Sequence, residues 1–191
     1  MKEPYFYKLV RPILYIFIKL YKPTYIGLEN IPTLENFILV GNHTSYLDAL
    51  LVASTTKRCV HFLAKDSLYK GIKKPLFKAL GIIPVNRKIK DKNALNKAIN
   101  CLNNEYVIGI FPEGTRNKTN DLLLSFKMGA VKMAKEANAT IVPFVITGKY
   151  KFWNNNLTIT FLEPFKVDNM TLEDANEKLR NMMLEQLKNS R

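Results

Sequence analysis

The chain has 191 residues, which is room for one domain with a buried core and too little for two. Hydrophobic residues make up 47%, and no Gly-, Ser- or Pro-rich stretch or internal repeat marks a linker, a disordered tail or a solenoid. Cys59 and Cys101 are far apart and lack metal-ligand spacing, so disulfide frameworks and zinc sites are set aside and a reducing compartment is expected.

The formal net charge is +13, unevenly spread. Residues 57–92 carry eleven Lys or Arg against Asp66 and Asp91, a local balance of +9, whereas the stretch from Glu163 to Arg191 is close to neutral. A one-sided basic surface binds something anionic: nucleic acid, an acidic bilayer surface or a phosphorylated small molecule. No nucleic-acid motif or repeated basic-aromatic pattern is present, so no nucleic-acid partner is expected.

From Pro4 to Lys22 the residues Phe6, Leu9, Val10, Ile13, Leu14, Phe17, Leu20 and Tyr21 recur at three and four, with Lys8, Arg11, Lys19 and Lys22 on the other side. The run is too interrupted by charge to span a bilayer, which takes about 20 apolar residues. It reads as a basic amphipathic segment, residues 1–24, lying on an anionic membrane surface ahead of a domain at 25–191. Phe6, Leu9, Arg11, Ile13, Phe17 and Lys19 are its expected membrane contacts. A terminal helix packed on its own domain fits the same periodicity. Pro12 is expected to kink the segment or divide it in two.

Beyond a turn at Gly27 and Pro32, strands are expected at 37–40, 60–64, 82–85, 106–111, 140–146 and 157–161. Helices are expected at 46–52, from Pro75 towards Gly81, around 94–102, at 128–137 and after a cap at Thr171. Strands alternating with helices give an α/β fold: a single domain with a largely parallel mixed sheet flanked by helices. Pro143, inside the strand 140–146, cannot donate to a ladder and implies an edge or a bulge.

In such sheets ligands gather beyond the carboxyl ends of the strands. His43 follows one strand, Lys65 another, Arg87 a third, and Pro112-Glu113-Gly114-Thr115-Arg116 a fourth. His43 and Asp48, five apart, would diverge by about 140° on one helix, so a turn must intervene for them to pair as a base and its orienting acid. With Ser45 as N-cap, Asp48 falls at the third helical position and reaches back to the ring. The same residues also describe a variant capping box. Gly114 supplies a tight turn, and Arg87 and Arg116 are candidate phosphate ligands. His61, within an apolar strand, reads as a packed ring.

In order and spacing, four stretches resemble the glycerolipid acyltransferase family: Asn42-His43 with Asp48, Gly81 through Arg87, Phe111 through Arg116, and Val142-Pro143. Pro84 and Asn86 depart from its usual second motif. The resemblance implies transfer of a fatty acyl group from acyl-CoA or acyl-carrier protein to the sn-2 hydroxyl of 1-acylglycerol-3-phosphate, giving phosphatidic acid. It implies His43 as general base oriented by Asp48, and acceptor binding by Arg87, Glu113, Gly114, Thr115, Arg116 and Lys65. Leu76, Phe77, Val142 and Pro143 are expected to meet the acyl chain. No Gly-x-Ser-x-Gly elbow occurs, so direct transfer without an acyl-enzyme is expected, with no metal or bound cofactor. The expected location is the cytoplasmic face of the cell membrane. Acylation of another lyso-lipid or of glycerol phosphate, and a non-catalytic membrane-binding or nucleic-acid-binding role, are the rival readings.

Overall fold

Five short apolar runs, each buried from both sides, build the centre of the molecule. The computed structural model describes residues 5–69 and 74–190; Lys70 and Lys73 of the basic stretch lie outside it. The elements are α1 (Tyr5–Lys19), β1 (Thr24–Ile26), β2 (Phe37–Gly41), α2 (Asp48–Ser54), β3 (Val60–Lys65), α3 (Lys74–Ala79) and β4 (Ile83–Val85). They continue with α4 (Lys92–Asn103), β5 (Val107–Ile110), α5 (Gly129–Glu136), β6 (Thr140–Thr147), β7 (Thr158–Phe161) and α6 (Leu172–Asn189).

The seven strands form one sheet in the order β1-β7-β6-β2-β5-β3-β4, parallel throughout except between β6 and β7. Phe37, Ile38, Leu39 and Val40 of β2 are all fully buried, as a strand covered on both faces requires. Their side chains alternate: Ile38 and Val40 face a core completed by α4, α5 and α6, and Phe37 and Leu39 face one completed by α1 and α2. The α/β fold with a largely parallel sheet is therefore as the residue pattern implies. The three-residue edge strand β1, too short to show a period, was not foreseen; it pairs in parallel with β7.

Pro12 does not divide its helix, and Pro143 marks a bulge rather than an edge. Pro12 lies within α1, which continues through it as one helix. Pro12 is exposed, while Tyr7, Ile18 and Tyr21 bury the opposite face and Arg11 Nε donates to the Thr56 carbonyl at 3.0 Å. That packing holds the segment helical across the missing donor. Pro143 is in an interior strand, between β7 and β2, and not at an edge. Its carbonyl accepts the Leu162 N–H at 2.9 Å, so its absent donor also points towards β7, which has already ended at Phe161. Between the Phe144–Phe161 pair and the Ile141–Phe165 bridge the returning chain holds one extra residue. This bulge is where the ladder does without the proline N–H.

Candidate active site

The strand order sets β2, β5, β3 and β4 side by side and parallel, so the loops after all four emerge at the same edge. The β2 loop is anchored first. Asn42 is buried and prolongs the ladder with its side chain: Nδ2 donates to the Ile146 carbonyl at 2.9 Å and Oδ1 accepts the Ile146 N–H at 2.7 Å. His43 follows at once. Its ring stacks on Phe111, with centroids 4.1 Å apart and planes 11° apart, and its side chain keeps 17% of its exposure.

Asp48 is fully buried, and every donor around it is accounted for. Oδ2 accepts from His43 Nδ1 at 2.9 Å, Thr44 N at 2.7 Å and Ser45 N at 2.8 Å; Oδ1 accepts from the Tyr150 hydroxyl at 2.7 Å. All four partners are placed to donate, and carboxylate oxygens accept. The proton on the ring therefore sits on Nδ1, leaving a lone pair on Nε2 at the opposite side. The expected placement of Ser45 is corrected. Asp48 is the first residue of α2, Leu47 precedes it without a side-chain cap, and Ser45 Oγ accepts from Leu47 N at 3.2 Å. A turn from Ser45 to Asp48 brings the chain round, so only the reach of Asp48 back to Ser45 N survives from the capping box.

Tyr150 was not found from the sequence. It lies 102 residues from Asp48 in the loop after β6, and no local spacing signals it. Burial, then the neighbouring Asp48 carboxylate, pushes its phenol far above the ordinary value, so it stays a hydrogen-bond donor.

The β5 loop locks onto the β2 loop through Glu113. This residue is 4% exposed; Oε1 accepts the His43 N–H and Oε2 the Leu124 N–H, both at 2.9 Å. Burial pushes its carboxyl above the ordinary carboxylate range, and the two backbone donors oppose that. Glu113 is thus a strut that seats His43, and not a group open to a ligand. Asn117 N donates to the His43 carbonyl at 2.6 Å, so the histidine backbone is held on both sides.

Between these ties the loop turns at Gly114, with φ +68°, a conformation that disfavours any side chain. A Cβ there would sit 2.9 Å from Lys127 Cε. Arg87 Nη1 donates to the Gly114 carbonyl, and Arg116 lies over the Tyr46 ring, 3.5 Å from its centroid. Thr115 is exposed. His43, Arg87 and Arg116 are therefore gathered at one mouth of the sheet, with Lys127 as a further cation that sequence reading passed over. The exposed Lys65 ends β3 in register with Val85, two residues before Arg87.

The four residues expected to meet an acyl chain are not brought together. Leu76 and Phe77 lie on α3, exposed and half-buried. Val142 and Pro143 are buried in β6, separated from β4 by β2, β5 and β3. Periodicity showed that these residues were apolar but not which strands would intervene. The membrane set also divides. Leu9 and Ile13 are 71% and 64% exposed and Lys19 is exposed, whereas Arg11 turns inward to Thr56 and Phe17 packs on the core beside Tyr21. Ile16, 65% exposed, joins the outer face unforeseen; the Phe6 side chain lies outside the described residues. His61 is a buried ring whose Nδ1 donates to the Gly81 carbonyl at 2.8 Å.

A base with its proton fixed on the far nitrogen, beside cations able to hold an anionic headgroup, can deprotonate a hydroxyl on a phosphorylated molecule. Comparison with known proteins gives the family. The chain is similar to 1-acyl-sn-glycerol-3-phosphate acyltransferase of Borreliella burgdorferi, 37% identical over 134 residues that cover 69% of this chain and 53% of that one. It is also similar to the enzyme of that name from Saccharomyces cerevisiae, 30% identical over 179 residues covering 85% and 59%. The chain thus spans little more than half the length of these curated relatives. The crystal structure of the 1-acyl-sn-glycerophosphate (LPA) acyltransferase, PlsC, from Thermotoga maritima shares the fold, with a TM-score of 0.75, 24% identity and coverage of 95% of this chain and 81% of that one. Residues 22–147, which run to the last residue of β6 and so contain His43, Asp48, Arg87 and the turn at Gly114, match the acyltransferase family, and the chain belongs to that family.

Proposed function

We propose that this protein transfers a fatty acyl group from acyl-CoA or acyl-carrier protein to the sn-2 hydroxyl of 1-acylglycerol-3-phosphate, giving phosphatidic acid. The observation that carries this reading is the His43–Asp48 pair opening on the same mouth as Arg87 and Arg116. The acceptor phosphate sits between the guanidiniums, and its free hydroxyl reaches His43 Nε2. Nε2 takes the hydroxyl proton as the oxygen attacks the thioester carbonyl carbon. Asp48 holds the tautomer and stabilises the imidazolium that forms. The tetrahedral intermediate collapses with cleavage of the C–S bond, and the thiolate leaves with the proton that His43 returns. No side chain is acylated.

Purified protein is expected to release free thiol from acyl-CoA only when lysophosphatidic acid is also present. Because a charge-assisted contact to phosphate contributes about 1.5–3 kcal/mol, monoacylglycerol is expected to be at least about tenfold poorer in kcat/KM. Equal use of the two acceptors would remove the phosphate role of Arg87 and Arg116 and favour another lyso-lipid.

No helix among the described residues is long and apolar enough to cross a membrane. The outer face of α1 suits the bilayer surface instead: Leu9, Ile13 and Ile16 are exposed along one side of the helix while Ile18 and Tyr21 are buried. We place the protein peripherally on the cytoplasmic face. Since the inner face of α1 belongs to the core, the test must spare it. Replacing Leu9, Ile13 and Ile16 together by Asn is expected to weaken co-sedimentation with anionic vesicles at least tenfold, at about 1.5–3 kcal/mol for each buried aliphatic side chain. Unchanged co-sedimentation would clear α1 of the role.

A further inference from the structure

We infer that the loop joining β6 to β7 is a second membrane contact, with Trp153 as its lipid-interface anchor. The starting observation is a backbone one. Trp153 has φ +60°, a left-handed conformation that a bulky side chain adopts only at a cost. In this conformation Trp153 is 70% exposed, and the neighbouring Phe152 is 55% exposed.

The loop is not loose. Gly148, with φ +85°, lies so close to the Asn156 carbonyl that a Cβ would meet its oxygen at 1.5 Å, which closes the base of the loop. Three further ties fix its outer part. The Tyr150 hydroxyl reaches Asp48 at 2.7 Å, Phe152 stacks on Tyr21 with centroids 4.5 Å apart, and Trp153 N donates to the Leu20 carbonyl at 2.9 Å. Strain is thus maintained by the fold at a point where a large apolar side chain is displayed to solvent.

The surroundings identify the occupant. Lys149 and Lys151 precede the aromatic pair in the loop, and Lys19 and Lys22 stand on either side of the Leu20–Tyr21 step to which it is tied. All four are exposed, and Lys22 Nζ lies 6.0 Å from the indole centroid. No carboxylate occurs in the sequence between Pro4 and Leu28 or between Thr140 and Leu162. An indole and a phenyl ring framed by ammonium groups match the headgroup layer of an anionic bilayer, where tryptophan settles with its ring at the polar boundary. The stripe Leu9, Ile13, Ile16 leads along α1 to Leu20, where Trp153 is tied. The two contacts would therefore hold the bilayer on both sides of the junction between α1 and the loop, one hydrogen bond from Asp48.

This inference rests on the membrane reading above, and its test separates the two. Trp153 is the one tryptophan of the chain, so emission excited beyond the absorption of its nine tyrosines reports on this loop alone. Emission and co-sedimentation are measured on the full chain with vesicles of equimolar phosphatidylglycerol and phosphatidylcholine, and with pure phosphatidylcholine. On the anionic vesicles the emission is expected to move to shorter wavelength and to be quenched by lipids brominated near the headgroup. Lys149→Ala with Lys151→Ala is expected to weaken association about 30-fold, from about fivefold for each basic residue near the surface. Co-sedimentation with unshifted, unquenched emission would overturn the loop contact and leave α1 as the anchor. Failure to co-sediment would overturn both. An emission shift with polyglutamate but not with vesicles would overturn the lipid and assign the patch to an acidic protein.

Discussion

Replacing His43 by Ala is expected to lower the turnover of thiol release by about 10³-fold, within the range a positioned base contributes, with little change in acceptor KM. Binding is expected to survive because the cations proposed to hold the headgroup are attached elsewhere: Arg87 to the Gly114 carbonyl and Arg116 to the Tyr46 ring. The fold is expected to survive as well. The ties that seat residue 43 use its backbone, its N–H to Glu113 and its carbonyl to Asn117, and these do not need the imidazole. Asp48 would keep Thr44 N, Ser45 N and the Tyr150 hydroxyl as donors. The loss of one hydrogen bond is then worth about 1 kcal/mol, a small shift in a thermal scan. Steady-state kinetics with both substrates varied, beside a melting curve, check the two halves of the expectation. Full turnover in the variant would remove His43 as the base and with it the direct-transfer mechanism.

What could be read from residues alone followed the range over which each feature acts. The sheet was legible because burial on both faces writes itself as unbroken apolar runs such as Phe37–Val40 and Ile141–Ile146. The partnership of His43 and Asp48 was legible for a similar reason, since both lie within one turn and their spacing excludes a continuous helix. The local form of that turn was not. Ser45 has every property of an N-cap, yet the Leu47 N–H takes its hydroxyl and α2 begins at Asp48. Glu113 was recognised as part of the loop but not as a buried strut, because its two donors come from His43 and Leu124, 70 and 11 residues away. Tyr150 and Lys127 carry no sequence signal at all. Their roles depend on which strands are neighbours, as does the separation of Leu76 and Phe77 from Val142 and Pro143. On α1 the apolar period was correct, but two apolar faces compete there. Only packing shows that Phe17 and Arg11 belong to the inner side and Leu9, Ile13 and Ile16 to the outer.

Asp48→Asn is expected to lower kcat by about 10²-fold, less than removal of the base, and the reason lies in the surrounding donors. An amide could present either oxygen or nitrogen to His43. Thr44 N and Ser45 N both point at the position of Oδ2, and an NH₂ group placed there would face two N–H donors. The amide oxygen is therefore expected to stay at that position, so that His43 keeps its proton on Nδ1 and its lone pair on Nε2. What is lost is the negative charge that, in the proposed mechanism, stabilises the imidazolium in the transition state. The amide nitrogen falls at the position of Oδ1, where the Tyr150 hydroxyl can rotate to accept instead of donating. This gives a second measurement on the same pair. In the native background Tyr150→Phe removes one of four donors to the carboxylate and is expected to lower kcat severalfold, by about 1 kcal/mol, without raising KM. In the Asp48→Asn background there is no charge left to orient, so the same change is expected to have little further effect on kcat. Additive losses would mean that Tyr150 acts apart from Asp48, and a loss from Asp48→Asn as large as that from His43→Ala would mean that the amide turns its nitrogen to the ring and imposes the wrong tautomer.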